Sequence, residues 1–208
     1  MSDSKLLVST AYLPPISYFS AILNAEKIII EAHETYIKQT YRNRCLILSA
    51  NGPLPLIIPV IRPKGNHTPI TEVEVDYSTK WNKNHVRAIE SAYRSSAYFE
   101  FIADFLFPFY EKKFDTLWEL NLSLINAIFE FLEIKKNIET TSHFVKETDK
   151  GTTDLRSLSP KQKSNSIFPE SVPYFQVFEH KFGFTPNLSI IDMLFNEGLS
   201  SLELLRNK

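Results

Sequence analysis

Within its first 31 residues the chain has room for a strand, a helix and a second strand, and no other feature limits the choice of fold so strongly. Leu6-Leu7-Val8-Ser9-Thr10 reads as a short inner strand, and Pro14-Pro15 as a turn whose second proline opens a helix running to about Leu23. Tyr18, Phe19, Ile22 and Leu23 form the apolar face of that helix. A second strand follows over residues 27–31, around Ile28-Ile29-Ile30. A unit of this size favours parallel strands joined by a right-handed crossover. In open parallel sheets ligands bind beyond the C-terminal ends of the strands, and Tyr12 and His33 fall on that edge. Neither strand is followed by Gly-x-Gly-x-x-Gly or a Walker sequence, so nothing points to a standard dinucleotide or nucleoside triphosphate cradle.

Further along, Asn51-Gly52 separates apolar residues 45–49 from 54–60 and is a strong hairpin signal, because both residue types tolerate positive φ. Pro53, Pro55 and Pro59 lack amide donors and push the second of these strands to a sheet edge. Residues 71–76 alternate like one more strand, and from Trp81 the pattern turns helical. Val86, Ile89, Ala92 and Tyr93 give one stripe; Phe101, Ile102, Phe105 and Phe109 give a second, disturbed by Pro108. Residues 117–132 form a long helix with Asp115 as its expected N-cap. Residues 139–172 are polar and irregular; Asn187 or Ser189 then caps a final helix carrying Ile190, Ile191, Leu194 and Phe195. The expected class is α/β: a mixed sheet opened by the βαβ unit and the Asn-Gly hairpin, then a mainly helical C-terminal half. One domain is expected over residues 1–208, with a flexible excursion at 145–167.

A formal charge of −1 argues against a surface built for nucleic acid or anionic lipid, while leaving room for a local basic pocket. One cysteine excludes an intramolecular disulfide, a multi-thiolate zinc site and a Cys-x-x-Cys redox pair, and it fits a cytoplasmic protein. The first residues lack the apolar run of a signal peptide, and no stretch reaches the length of a membrane helix. With 16 Phe and 9 Tyr, the core is expected to be rich in rings, which also suit pocket walls.

Polar chemistry concentrates in residues 33–44, between the apolar runs Ile28-Ile29-Ile30 and Cys45-Leu46-Ile47-Leu48. If residues 41–45 are extended, Arg42 and Arg44 share one face and Asn43 takes the other; if 34–42 are helical, Lys38 and Arg42 share a face. Either way cations converge, and two guanidinium forks suit a carboxylate or a phosphate. The plainer alternative is that they pair with Glu31 and Glu34 in a structural ion network. His33 and His85 are the candidate general bases. His33-Glu34 begins like a zincin motif, but Ile37 stands where the second histidine is required, so no metal and no cofactor are expected. Cys45 is either an acyl-carrying nucleophile or, as its apolar setting favours, an inert buried thiol.

Several of these segments together resemble the WbqC-like family. Ala11-Tyr12-Leu13-Pro14-Pro15-Ile16-Ser17-Tyr18-Phe19 is similar to the family's opening strand, turn and helix, with Thr10 or Ala11 in place of its customary glutamine. Tyr36-Ile37-Lys38, Arg42-Asn43-Arg44 and Leu56-Ile57-Ile58-Pro59-Val60 resemble its central signature. Trp81, His85, Tyr93, Tyr98-Phe99 and the closing stretch from Leu188 to Gly198 also fit. The resemblance implies an association with bacterial O-antigen and surface-polysaccharide clusters, and a glycyl or other aminoacyl transferase role. On that basis the expected activity is transfer of an aminoacyl or acyl group to an amino sugar or sugar nucleotide. Lys38, Arg42, Asn43, Arg44, Tyr12 and Tyr36 would bind the substrate, and His33 or His85 would move the proton. The competing expectation is a non-catalytic module that binds an anionic saccharide or a partner protein.

Overall fold

The structure, a computed structural model, describes residues 4–160 and 172–206. β1 (Lys5–Val8), α1 (Ile16–Asn24) and β2 (Lys27–Ile30) form the expected unit, with β1 and β2 parallel and in register from Lys5 opposite Lys27 to Val8 opposite Ile30. Leu6, Leu7 and Val8 are all buried, as a strand covered on both faces requires. Pro15, at the N-cap of α1, supplies no side-chain bond, and distant residues reach both ends of the helix. At its start the Ile16 amide donates to the Leu188 carbonyl and the Ser17 amide to Asn187 Oδ1. At its end Lys136 Nζ donates to the carbonyls of Ile22, Leu23 and Ala25, placing a cation where helix carbonyls lack partners. Residues more than a hundred positions away therefore stabilise the first helix.

β3 (Arg44–Ser49) and β4 (Gly52–Ile57) pair antiparallel, from Arg44 opposite Ile57 to Ser49 opposite Gly52. The connection is Ala50-Asn51, one residue earlier than an Asn-Gly turn would place it, and Gly52 enters the strand at φ +103°, a value that favours glycine. β5 (Val60–Ile61) pairs antiparallel with β6 (Glu74–Val75), which is shorter than the strand expected over 71–76. Residues 34–42 are not helical: Thr35 makes an isolated bridge to Pro69 and turns follow over 38–43, and of the extended stretch considered over 41–45 only Arg44 and Cys45 lie in a strand, β3.

The helical half comprises α2 (Trp81–Tyr93), α3 (Phe99–Leu106), α4 (Pro108–Glu111) and α5 (Leu117–Phe131). Thr116, not Asp115, caps α5: its Oγ accepts from the Glu119 amide while the Glu119 side chain reaches back to the Thr116 amide. Phe101 faces solvent, while Ile102 and Leu106 carry the buried face of α3.

Two short strands lie where only irregular chain was expected. β7 (Ile138–Thr140) adds parallel to β2, and β8 (Thr152–Asp154) adds parallel to β1, giving a sheet of order β7-β2-β1-β8. Parallel and antiparallel pairs thus occupy separate sheets rather than one mixed sheet. Each new strand has three mostly polar residues at an edge, so no apolar run marked either one. Residues 161–167 of the expected excursion lie outside the described residues.

After α6 (Glu179–Phe182), α7 (Ile190–Glu197) runs through the interior and α8 (Ser201–Arg206) follows it. Every residue of α7 from Ile190 to Asn196 is buried. The Ser189 amide donates to the Leu46 carbonyl and the Ile190 amide to that of Pro14, joining this helix to both the hairpin and the entry to α1. Phe195 stacks on Tyr93 at 4.7 Å between ring centroids. Among the described residues no helix is long and apolar enough to cross a membrane.

Candidate functional site

All four parallel strands end at one edge, and the residues that follow them build a single polar centre. After β1 comes Ser9, after β2 Glu31, His33 and Glu34, after β7 Thr141 and Phe144, and at the end of β8 Asp154 and Arg156. They border a cavity of about 650 Å³ lined by His33, Glu34, Thr35, Ile37, Arg42, Phe144, Asp154, Arg156 and Ser157. This is the edge at which parallel α/β sheets bind ligands.

Arg42 reaches this centre from the turn before β3 and is 2 % exposed. Its Nε donates to Glu34 Oε1 at 2.8 Å and its Nη2 to Glu34 Oε2 at 2.5 Å, a two-point pairing. Nη2 also donates to Ser9 Oγ at 2.6 Å, and that hydroxyl lies 2.9 Å from Glu34 Oε2, to which it donates. A buried guanidinium is tolerated only with such partners.

Glu31 is wholly buried and organises the neighbouring loop. Its carboxylate accepts from Thr141 Oγ1 at 2.6 Å, from the Val145 and His33 amides at 3.0 Å each, and from Arg156 Nη1 at 3.2 Å. Burial alone would raise its pKa; these donors outweigh burial and hold the carboxyl below its ordinary value. Arg156 grips Asp154 with Nε and Nη2, the latter at 2.6 Å, and its Nη1 donates to the Val145 carbonyl at 2.6 Å. Its guanidinium carbon lies 5.3 Å from the centre of the Phe144 ring. These bonds raise the pKa of Arg156, and Arg156 in turn offsets the burial of Asp154 and lowers that carboxyl.

The residues singled out in the sequence separate into three groups. His33, exposed, and Arg42 line the cavity. Tyr36, Lys38, Asn43 and Arg44 belong to the approach to the hairpin and are not among its lining residues. Lys38 is exposed, Asn43 Nδ2 donates to the Ile58 carbonyl at 2.8 Å, and Arg44 Nε is buried with no partner among the described residues. Tyr36 is buried, and burial raises its phenol although Arg44, Arg62 and Arg42 pull the other way. Arg42 and Arg44 therefore do not converge; the second guanidinium of the cavity is Arg156.

Tyr12 and His85 form the third group, inside the core. The Tyr12 hydroxyl lies 2.9 Å from His85 Nδ1 and 2.5 Å from the Tyr110 hydroxyl, and the Trp81 ring packs edge-on against the imidazole at 5.1 Å. Burial pushes His85 down to about 4, with a hydrogen bond to the Ile57 backbone working the other way, so the ring is neutral at ordinary pH. Cys45 is also buried, and burial pushes its thiol up, away from the reactive thiolate.

Sequence reasoning passed over Ser9, Thr141, Phe144, Asp154 and Arg156 as site residues and treated Glu31 and Glu34 only as partners for arginines. A usable signal existed for Glu31, an acid placed directly after three isoleucines at the ligand-binding end of a buried strand. Asp154 and Arg156 carried no such signal.

The chain matches the WbqC-like protein family over residues 10–170, which leaves the stretch from Leu188 to Gly198 outside that match. It is 32 % identical over 225 residues, covering 96 % of each chain, to a protein of Mycobacterium tuberculosis (strain ATCC 25618 / H37Rv) named uncharacterized protein Rv1507c. No solved structure matches it. A family match running from just after β1 to beyond β8, together with a relative aligned along nearly its whole length, shows that the chain belongs to the WbqC-like protein family.

Proposed function

We propose that this protein transfers an aminoacyl group, for example glycyl, or another acyl group to an amino sugar or sugar nucleotide in bacterial surface-polysaccharide (O-antigen) biosynthesis, and that it works in the cytoplasm. The observation that carries the reading is the cavity of about 650 Å³ at the C-terminal edge of the parallel sheet, with the exposed His33 beside paired carboxylates and the Phe144 ring. Such a wall suits a saccharide: carboxylates and guanidiniums serve its polar groups and the aromatic ring its C–H face. The His33 imidazole would take the proton from the attacking amine or hydroxyl as the acyl bond forms, and deliver it to the departing group. Tyr12 and His85 would support the wall from the core without touching substrate. The family's association with polysaccharide clusters supports the same reading.

One observation favours the alternative of a non-catalytic saccharide-binding module. Both guanidinium forks at the cavity are engaged by protein carboxylates, and the buried Cys45 thiol is raised rather than activated. The deciding experiment incubates the protein with nucleotide sugars, amino sugars and aminoacyl donors and looks for product by mass. In the transferase, His33→Gln retains binding and lowers turnover by roughly 10²–10⁴-fold. Saccharide binding without product across these donors makes the protein a binder, and full activity of His33→Gln removes His33 from the proton transfer.

A further inference from the structure

The charge of the ligand follows from how the cavity's own charges are paired, given the saccharide reading above. Glu34 and Asp154 line the cavity with Arg42 and Arg156, and Glu31, wholly buried, joins Arg156 from behind. Among the described residues three carboxylates thus meet two guanidiniums. Each guanidinium is already paired with a carboxylate. Arg42 directs Nε and Nη2 to Glu34 and Ser9. Arg156 directs Nε and Nη2 to Asp154, and Nη1 to the Val145 carbonyl and Glu31. A phosphate entering here would sit beside carboxylates that already hold both arginines, one anion against another.

An ammonium group meets the opposite situation. It brings the positive charge that the cluster lacks, and the Asp154 side chain, 34 % exposed, has surface left to receive it. Phe144 is 47 % exposed at the same cavity and offers apolar surface to a sugar ring. We propose that this cavity binds the amine-bearing, unphosphorylated ring of an amino sugar, with Asp154 receiving the ammonium and Phe144 packing on the ring. Any phosphate that the ligand carries stays outside the cavity.

The test is calorimetric titration of the full chain with glucosamine, N-acetylglucosamine and glucose 1-phosphate, at a pH that keeps the glucosamine amine charged. Glucosamine is expected to bind about tenfold more tightly than either of the others, a factor in keeping with one charge-assisted hydrogen bond. Asp154→Asn is expected to abolish that preference and to strengthen glucose 1-phosphate, because the variant releases Arg156. Phe144→Ala is expected to weaken all three sugars alike. Equal or tighter binding of glucose 1-phosphate to the unaltered protein overturns the proposal, as does a preference that survives in Asp154→Asn. Failure of every probe to bind at millimolar concentration overturns it too. Should Asp154→Asn not fold, the ranking on the unaltered protein decides. Glucosamine that binds but is never acylated removes the transferase reading and leaves this inference standing; preferential phosphate binding does the reverse.

Discussion

Arg42 shows what a single buried charge demands of its surroundings. It is among the largest fully buried side chains, and Glu34 is 5 % exposed beside it. Removing the arginine alone strands a buried carboxylate, so Arg42→Ala is expected to lower unfolding stability by about 3–5 kcal/mol. Replacing both partners together, Arg42→Met with Glu34→Leu, is expected to cost less than that single change, which urea titration checks directly. Two other buried groups make stability depend on pH, in opposite senses. The folded pKa of His85, about 4, lies below its ordinary 6.5, so the unfolded chain takes the proton first and this contribution is lost as pH falls from 6.5 towards 4. Asp192, buried among the Tyr93 and Tyr174 hydroxyls and Gln176, is raised by burial from 3.8 to about 6 although those donors work against the rise. Its contribution is fully present below pH 3.8 and is lost as pH rises towards 6. The two oppose each other across most of that window. His85→Gln is therefore expected to lose less stability than the unaltered protein between pH 7 and pH 4.5, and Asp192→Asn to lose more. Urea midpoints at the two pH values test both signs.

The connection from β7 to β8 is the element on which the cavity depends. It carries Phe144 and Val145, and it is held by a carboxylate on β2's exit and a guanidinium just after β8. Glu31→Gln keeps the shape of the side chain and removes its charge, weakening its bonds to the Val145 amide and Arg156. The Val145 amide is expected to exchange slowly with deuterium in the unaltered protein and at least tenfold faster in Glu31→Gln, while the amides of β3 and β4 stay unchanged. Equal exchange at Val145 in both proteins would show that Glu31 does not hold this loop. The same element marks how far the sequence was legible. The βαβ unit, the antiparallel hairpin and α5 could be read because apolar residues repeat with the period of their element. β7 and β8, Ile138-Glu139-Thr140 and Thr152-Thr153-Asp154, have too few apolar residues for any period to show. The half of the cavity that they carry was hidden with them. His33 and Arg42 were found because they lie in a polar stretch between two apolar runs; Asp154 and Arg156 lie in a polar stretch with no such boundary.

Across the whole molecule, α7 joins parts that are distant in the chain. It meets β3 through Leu46, the entry to α1 through Pro14 and α2 through the stack of Phe195 on Tyr93. One domain was expected from length alone, and this position of α7 supplies the test. Unfolding followed by circular dichroism and by tryptophan fluorescence is expected to give coincident single transitions, and a chain ending at residue 187 is expected to lose that transition altogether. Two separate transitions, or a cooperative shortened chain, would contradict a single domain. By itself the sequence determined the apolar helices and strands and the parallel order of the first two strands. Those properties follow from local periodicity and the handedness of the chain. Only the tertiary structure decided which charges meet. Glu31 finds Arg156 across 125 positions, and Lys136 finds the end of α1 across more than a hundred. Such pairings depend on which strands become neighbours. Ionic attraction is strong enough to select partners only after folding has removed water from around them.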